Sequence, residues 1–154
     1  MPTPHQRLQE LGITLPQPPK PVAAYVPAVR TGNLIYVSGQ VPIRDGALAW
    51  SGPVPSAQSI EQAQQAARQC AINGLAVLAG MLDGDLGRVV RIVRVGVWVA
   101  CDAGFTDQPK VANGASELLQ QVFGEQGRHA RAAVGSIALP LGATVEVELL
   151  AEVR

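Results

Sequence analysis

Aromatic residues are scarce: two Trp, two Tyr and two Phe make up 4% of the 154 residues. A core must therefore rest on Val, Leu, Ile and Ala, and the bases of a single-stranded nucleic acid would find few rings to stack on. Net charge is missing as well, because twelve Lys and Arg balance twelve Asp and Glu. That balance, with no run of Lys or Arg, leaves no electrostatic footprint for a phosphate backbone or an anionic membrane surface. Cysteine is limited to Cys70 and Cys101. Their separation is not that of a metal site, and two thiols are no disulfide framework, so both are expected to be reduced and buried. No apolar run reaches the roughly 18 residues of a membrane span. The opening MPTPHQRLQELG has no apolar h-region. The chain is expected to work in the cytoplasm, without metal or cofactor, and away from nucleic acid and membrane.

What is present is a hydrophobic content of 47%, enough for one globular domain over residues 1–154, with residues 1–20 as an N-terminal extension. Thr3 before Pro4 reads as a helix cap, Leu8 and Leu11 share a face, and Gly12 stops this short helix. A proline-rich connector, LPQPPKPVAAYVP, follows at 15–27. VRTGNLIYV places Thr31-Gly32-Asn33 between two β-rich runs, as in a hairpin. Ser59 with Gln62 forms a capping box, and Ile60, Ala63, Ala67, Cys70, Gly74, Leu78 and Leu82 then recur at helical spacing. RVVRIVRVGVWVA, residues 88–100, reads as a central strand. Strict alternation would put Arg91, Val93, Val95 and Val97 on one face and Val90, Ile92, Arg94 and Trp98 on the other. A second helix spans about Gln108 to Phe123, with Val111, Ala115, Leu118 and Val122 as its apolar stripe. Two strands close the chain, at 129–138 and 144–153, and the short LPLGA between them suggests antiparallel pairing. Two helices cover only one face of such a sheet. The other face is not polar enough for water alone, which points to an oligomer.

Arg131 raises the chemical question. It sits among Ala130, Ala132, Ala133 and Gly135, none of which can pair a guanidinium. In an extended strand Arg131, Ala133 and Gly135 share a face, so small neighbours leave a hollow beside the cation. Glu146 and Glu148 share a face of the last strand, which antiparallel pairing would bring close. A guanidinium fork recognises a carboxylate in two-pronged fashion, and a glutamate can move a proton. A salt bridge that fixes strand register or a subunit contact explains the same residues, and the pattern alone leaves both readings open.

Four stretches carry a resemblance: GNLIYVSGQVP at 32–42, QPKVANGASELLQQVFG at 108–124, HARAAVG at 129–135 and LPLGATVEVELLAEV at 139–153. Over about residues 20–153 the chain resembles the Rid family, the reactive-intermediate (enamine/imine) deaminases, also called YjgF-like or L-PSP-type proteins. The resemblance implies a chorismate-mutase-like α+β fold, a mixed sheet with two helices on one face, and a homotrimer with three clefts between subunits. It implies cofactor-free hydrolytic deamination of small 2-imino or 2-enamino acids. Arg131 would grip the substrate carboxylate, and Glu146 would activate water. Tyr25, Ser38, Gly39 and Asn113 match other cleft-lining positions. Ala133 stands where well-studied deaminases carry cysteine, and the interval from Asn113 to Arg131 is one residue longer. The alternative is a non-catalytic trimer that binds small carboxylates. An endoribonuclease, a name the family has carried, fits the neutral charge less well. His5 and His129 are expected at the surface.

Overall fold

The computed structural model describes residues 1–18, 20 and 24–154; part of the proline-rich connector expected at 15–27 lies outside them. In chain order the elements are helix α1 (Pro4–Glu10), strands β1 (Ala28–Thr31), β2 (Leu34–Gln40), β3 (Ile43–Arg44) and β4 (Ala47–Leu48), helix α2 (Ile60–Met81), strand β5 (Val89–Ala100), helix α3 (Gln108–Phe123), and strands β6 (Ala130–Ser136) and β7 (Val145–Val153). One five-stranded sheet runs in the order β1-β2-β7-β5-β6, and β3 and β4 form a separate two-stranded ribbon. Among the described residues no helix is long and apolar enough to cross a membrane.

The helix starts follow their capping residues. Ser59 Oγ accepts from Gln62 N at 3.1 Å, and Gln62 Oε1 accepts from Ser59 N at 2.8 Å, so two otherwise unpaired amides of the first turn of α2 are satisfied. Thr3 and Gln6 repeat the arrangement on α1. Leu8 of α1 is buried, and Arg7 donates to the Gln121 carbonyl of α3 at 3.2 Å, which ties the N-terminal segment to the helical layer.

Both long helices lie on one face of the sheet. Ile35, Val37, Ile92, Val95, Val97, Val99, Val145, Val147, Leu149 and Ala151 are buried there, beneath Leu75 and Leu78 of α2 and Val111, Leu118 and Val122 of α3. Each buried aliphatic side chain contributes about 1.5–3 kcal/mol relative to exposure, so a core built mainly of aliphatic residues, with Phe123 its one buried ring among the described residues, is still adequate. The helix stripes match those expected from the sequence. The opposite face of the sheet carries Val29, Tyr36 and Val134, all about half exposed, with Arg94 and Glu148 between them.

Two expectations fail. The alternation read for β5 breaks, because its pairing with β7 shifts register between Val89 and Arg91 and again between Ile92 and Arg94. Ile92 and Val95 are both fully buried, while Arg91 and Arg94 are exposed. A bulge inserts a residue and turns the following side chains over, so both arginines escape the core. The second failure concerns the last two strands. They do not pair: β5 lies between them, parallel to β6 and antiparallel to β7. The segment β5–α3–β6 is a βαβ crossover, which requires parallel partners. The return loop at 137–144 then passes β5 to reach its other edge.

The two helices approach closely at Gly114. A Cβ there would overlap the carbonyl oxygen of Gln64 on α2, a backbone atom that cannot swing aside. Gly114→Ala is expected to lower stability by about 1–3 kcal/mol despite the better helix propensity of alanine. Thermal or urea unfolding of the variant checks this, and a neutral result would mean that the helices separate freely.

Candidate functional site

Helix α3 holds the arginine. Pairing of Val95 with Arg131 turns this side chain to the helix-covered face, at the edge of the sheet, although it remains exposed on the single chain. Arg131 Nη1 donates to Asn113 Oδ1 at 2.9 Å and to Ser116 Oγ at 3.1 Å, and Nη2 donates to the Pro109 carbonyl at 3.3 Å. A guanidinium has five N–H donors. With both Nη atoms turned to α3, the edge left over is Nε–H with the remaining Nη2 hydrogen. That side-on edge is one of the two that match a carboxylate.

Asn113, matched by the resemblance to a cleft-lining position, faces Arg131. Ser116 follows three residues later on the same side of α3 and is almost fully buried. The sequence reading missed it, although that spacing was enough to find it. His129, expected at the surface, is partly buried: Nδ1 lies 2.7 Å from the Gly127 carbonyl, and Nε2 lies 2.9 Å from Ser116 Oγ. Burial lowers its pKa from the ordinary histidine value; the Gly127 carbonyl opposes this, and the charge of Arg131 adds to it. Ala133 and Gly135 share the face of Arg131. A Cβ at Gly135 would press on Cys101 Sγ at 2.7 Å, so the glycine leaves room for the thiol. Cys101 is thus partly exposed, not buried as expected, while Cys70 is buried as expected, and both are free.

The glutamate stands on the other side of the sheet. Glu146 pairs with Trp98, an odd number of residues along β5 from Val95, so Glu146 and Arg131 point to opposite faces. The strand pairing expected to bring them together in one chain is absent. Glu146 opens into a cavity of about 230 Å³ whose walls are largely apolar: Tyr25, Pro27, Val41, Ile43, Pro140 and Leu141, with Gly39, Gln40 and Lys20. Burial raises its pKa above the ordinary glutamate value, and the nearby charge of Glu148 raises it further. Glu148 itself is paired with Arg94 at 3.1 Å.

A bulge in β2 shapes the cavity floor. Ser38 and Gly39 together oppose the single residue Glu148 between the pairs Val37–Leu149 and Gln40–Val147. A Cβ on Gly39 would overlap Glu146 Oε1, so the glycine admits the carboxyl. Ser38 Oγ donates to the Val26 carbonyl at 2.8 Å and holds the segment that carries Tyr25. Asn73 of α2, buried, donates to the carbonyls of Val41 at 3.1 Å and Ile43 at 2.9 Å and fixes the far wall. The expected residues therefore form two groups, Arg131 with Asn113 and Glu146 with Gly39 and Tyr25; Ser38 supports the second from behind.

A mixed five-stranded sheet with two helices on one face is the chorismate-mutase-like arrangement. The family described as "YjgF/chorismate mutase-like, putative endoribonuclease" matches residues 5–153, and the chain belongs to it. Protein TCP17 of Trypanosoma cruzi is 45% identical over 96% of this chain and 92% of its own length. A 2-iminobutanoate/2-iminopropanoate deaminase of Dermatophagoides farinae is 28% identical over 88% of this chain and 91% of its own. Among solved structures, the protein Atu1372 of Agrobacterium tumefaciens is 44% identical, covers 98% of this chain and 92% of its own, and superposes with a TM-score of 0.90. A structure from Shewanella oneidensis called a "putative endoribonuclease" is 31% identical, with a TM-score of 0.95 over 99% of this chain and all of its own.

The raised pKa of Glu146 has a stability consequence. The folded state favours its protonated form, so this contribution is full below the ordinary glutamate pKa and is lost as pH rises through the raised folded value. Glu146→Gln removes that step. Its unfolding midpoint in urea is expected to fall less than wild type between acid and neutral pH, and to equal or exceed wild type at neutrality. A midpoint clearly below wild type at neutral pH would show that the carboxylate is instead paired.

Proposed function

We propose that the protein is a cofactor-free hydrolase of small reactive 2-imino and 2-enamino acids, working in clefts between the subunits of a homotrimer. The observation that carries this reading is the separation of the two groups. Arg131 presents at β6, the outer strand of the sheet, a two-donor edge that has no partner among the described residues, and Glu146 stands in an open cavity on the opposite face. Neither is a complete site, and the β6 edge of one copy set against the cavity of another makes one. The half-exposed Val29, Tyr36 and Val134 on the uncovered face supply apolar surface for such packing. The name of the mite relative supports the chemistry, and the family match supports its general class.

In this cleft the substrate carboxylate docks on the side-on edge of Arg131, which places C2 toward Glu146 of the adjoining copy. Water attacks C2, and Glu146 takes its proton. Glu146 returns that proton to the nitrogen, giving the carbinolamine; it then takes the carbinolamine hydroxyl proton as C=O forms and passes it to the departing nitrogen, so the C–N bond breaks, ammonia leaves and a 2-oxo acid remains. An enamine first gains a proton at C3 and loses one from nitrogen, which gives the imine. A carboxyl with a pKa above the ordinary range suits both the base and the acid half of the cycle. Orientation does much of the rest, because such imines already hydrolyse slowly in water.

The second reading, a carboxylate binder without chemistry, draws on Ala133. It faces the same side as Arg131 and offers no functional group, so all proton transfer falls to Glu146. The endoribonuclease reading has less to support it, given the zero net charge.

Light scattering is expected to give three times the 16.1 kDa chain mass at micromolar concentration, and a monomer would sink the shared cleft. Arg131→Lys keeps the charge and loses the planar fork, so calorimetry should show weaker binding of 2-oxobutyrate with the trimer intact.

Glu146→Gln should slow hydrolysis of 2-iminobutyrate by about 10²–10⁴-fold, the usual contribution of acid–base catalysis, with little change in affinity. Glu148→Gln, which loses only the ion pair with Arg94, should slow it far less. Wild-type rates in both variants would remove the proton-transfer role, and a wild type no faster than buffer would leave the binder.

A further inference from the structure

We propose that Ser116 and His129 are positioning residues that fix the direction of the Arg131 fork. The inference rests on the carboxylate grip argued above and adds residues that touch neither substrate nor reacting atoms.

Proton accounting sets the direction of the chain of hydrogen bonds. The Gly127 carbonyl can only accept, so His129 carries its proton on Nδ1 and donates it there, at 2.7 Å. Nε2 is then a lone pair, and at 2.9 Å it accepts the Ser116 hydroxyl hydrogen. Ser116 Oγ is left with lone pairs only, one of which accepts from Arg131 Nη1 at 3.1 Å. The neutral state of His129 that this requires agrees with the lowering of its pKa by burial. The far end is anchored: Gly127 is buried, and a Cβ there would overlap the Leu119 carbonyl at the end of α3. The chain thus runs from a fixed turn through an imidazole and a buried hydroxyl to the guanidinium.

Without His129 the hydroxyl has a competing partner. A serine inside a helix can donate back to the carbonyl four residues earlier, which for Ser116 is Ala112. That rotation carries the oxygen away from Arg131, and Nη1 keeps only Asn113. The fork, on a long flexible stem, then loses one of its three holds and must be oriented by the ligand at the ligand's expense.

Calorimetry with 2-oxobutyrate tests this on the full chain. Ser116→Ala and His129→Leu are each expected to weaken binding about tenfold, the size of one hydrogen bond to a charged group. The double variant should bind no worse than either single one, because both changes break the same chain. His129→Gln restores an acceptor and should recover most of the affinity, which a merely structural role would not predict. In the Arg131→Lys background, His129→Leu should have no further effect. If His129→Leu does not fold, as judged by thermal melting, Ser116→Ala and His129→Gln carry the test. Wild-type affinity in Ser116→Ala, or singles whose effects multiply in the double variant, overturns the proposal. Weak binding by Arg131→Lys beside wild-type binding by His129→Leu sinks the positioning role alone. Wild-type binding by Arg131→Lys sinks the carboxylate grip and the positioning with it.

Discussion

Strand β5 has a parallel neighbour on one edge and an antiparallel neighbour on the other, and the placement of Arg131 and Glu146 follows from that. The parallel edge is forced by the crossover through α3, which carries the chain back to the same end of the sheet. It sets Arg131 level with Val95, beneath the helix that has just crossed over. The antiparallel edge sets Glu146 level with Trp98, facing away from both helices. One strand therefore separates the cation from the acid by two strand spacings and by the thickness of the sheet. The consequence is a chain in which the two candidate groups stand apart, on opposite faces of the sheet.

The arginine shows how a cation can be held without being neutralised. Its partners on α3 are an amide oxygen, a hydroxyl and a backbone carbonyl, none of them charged. They satisfy donors and fix orientation, yet leave the positive charge available to an incoming anion. A carboxylate in the same place would have held the side chain as firmly and satisfied it. A salt bridge that fixes strand register would have required such a partner within the chain, and the pairing of β6 with β5 instead of β7 removes that form of it; a salt bridge at a subunit contact is untouched by this pairing.

Much of this was legible in residue patterns. Ser59 with Gln62, the three- and four-residue steps of α2, and the stripe of α3 each fix a helix by local chemistry. The order strand, helix, strand over 88–136 also contained the parallel crossover, but the short connection after it drew attention to the wrong pairing. Register was not legible. The bulges that expel Arg91 and Arg94 from the core arise from the fit of β5 against β7, which no alternation rule within β5 can report. The contact of Ser116 with Arg131 was available from its spacing to Asn113. That of His129 with Ser116 was not, because it depends on a tight return of the chain after Gly127 that brings the imidazole back onto α3.

Glu146 and Glu148 make the same point in chemical terms. They are two residues apart on one strand face, and composition alone assigns them one role. Gly96, opposite Glu148, leaves space in which Arg94 folds over and pairs with it; a Cβ there would lie 3.0 Å from the carboxylate and 3.1 Å from the guanidinium. Gly39, in the bulge of β2, leaves space beside Glu146, and among the described residues no cation pairs with that carboxyl, although Lys20 lines the same cavity. One acid is thus tied to a charge, and the other is set among Pro27, Val41, Ile43 and Pro140. Burial and the charge of its neighbour both favour a proton on Glu146, so the acid paired with Arg94 helps to tune the one that has no ion-pair partner among the described residues. Two glycines, chosen for what they leave out, divide an identical pair of carboxylates into an ion-pair partner and a group able to exchange protons.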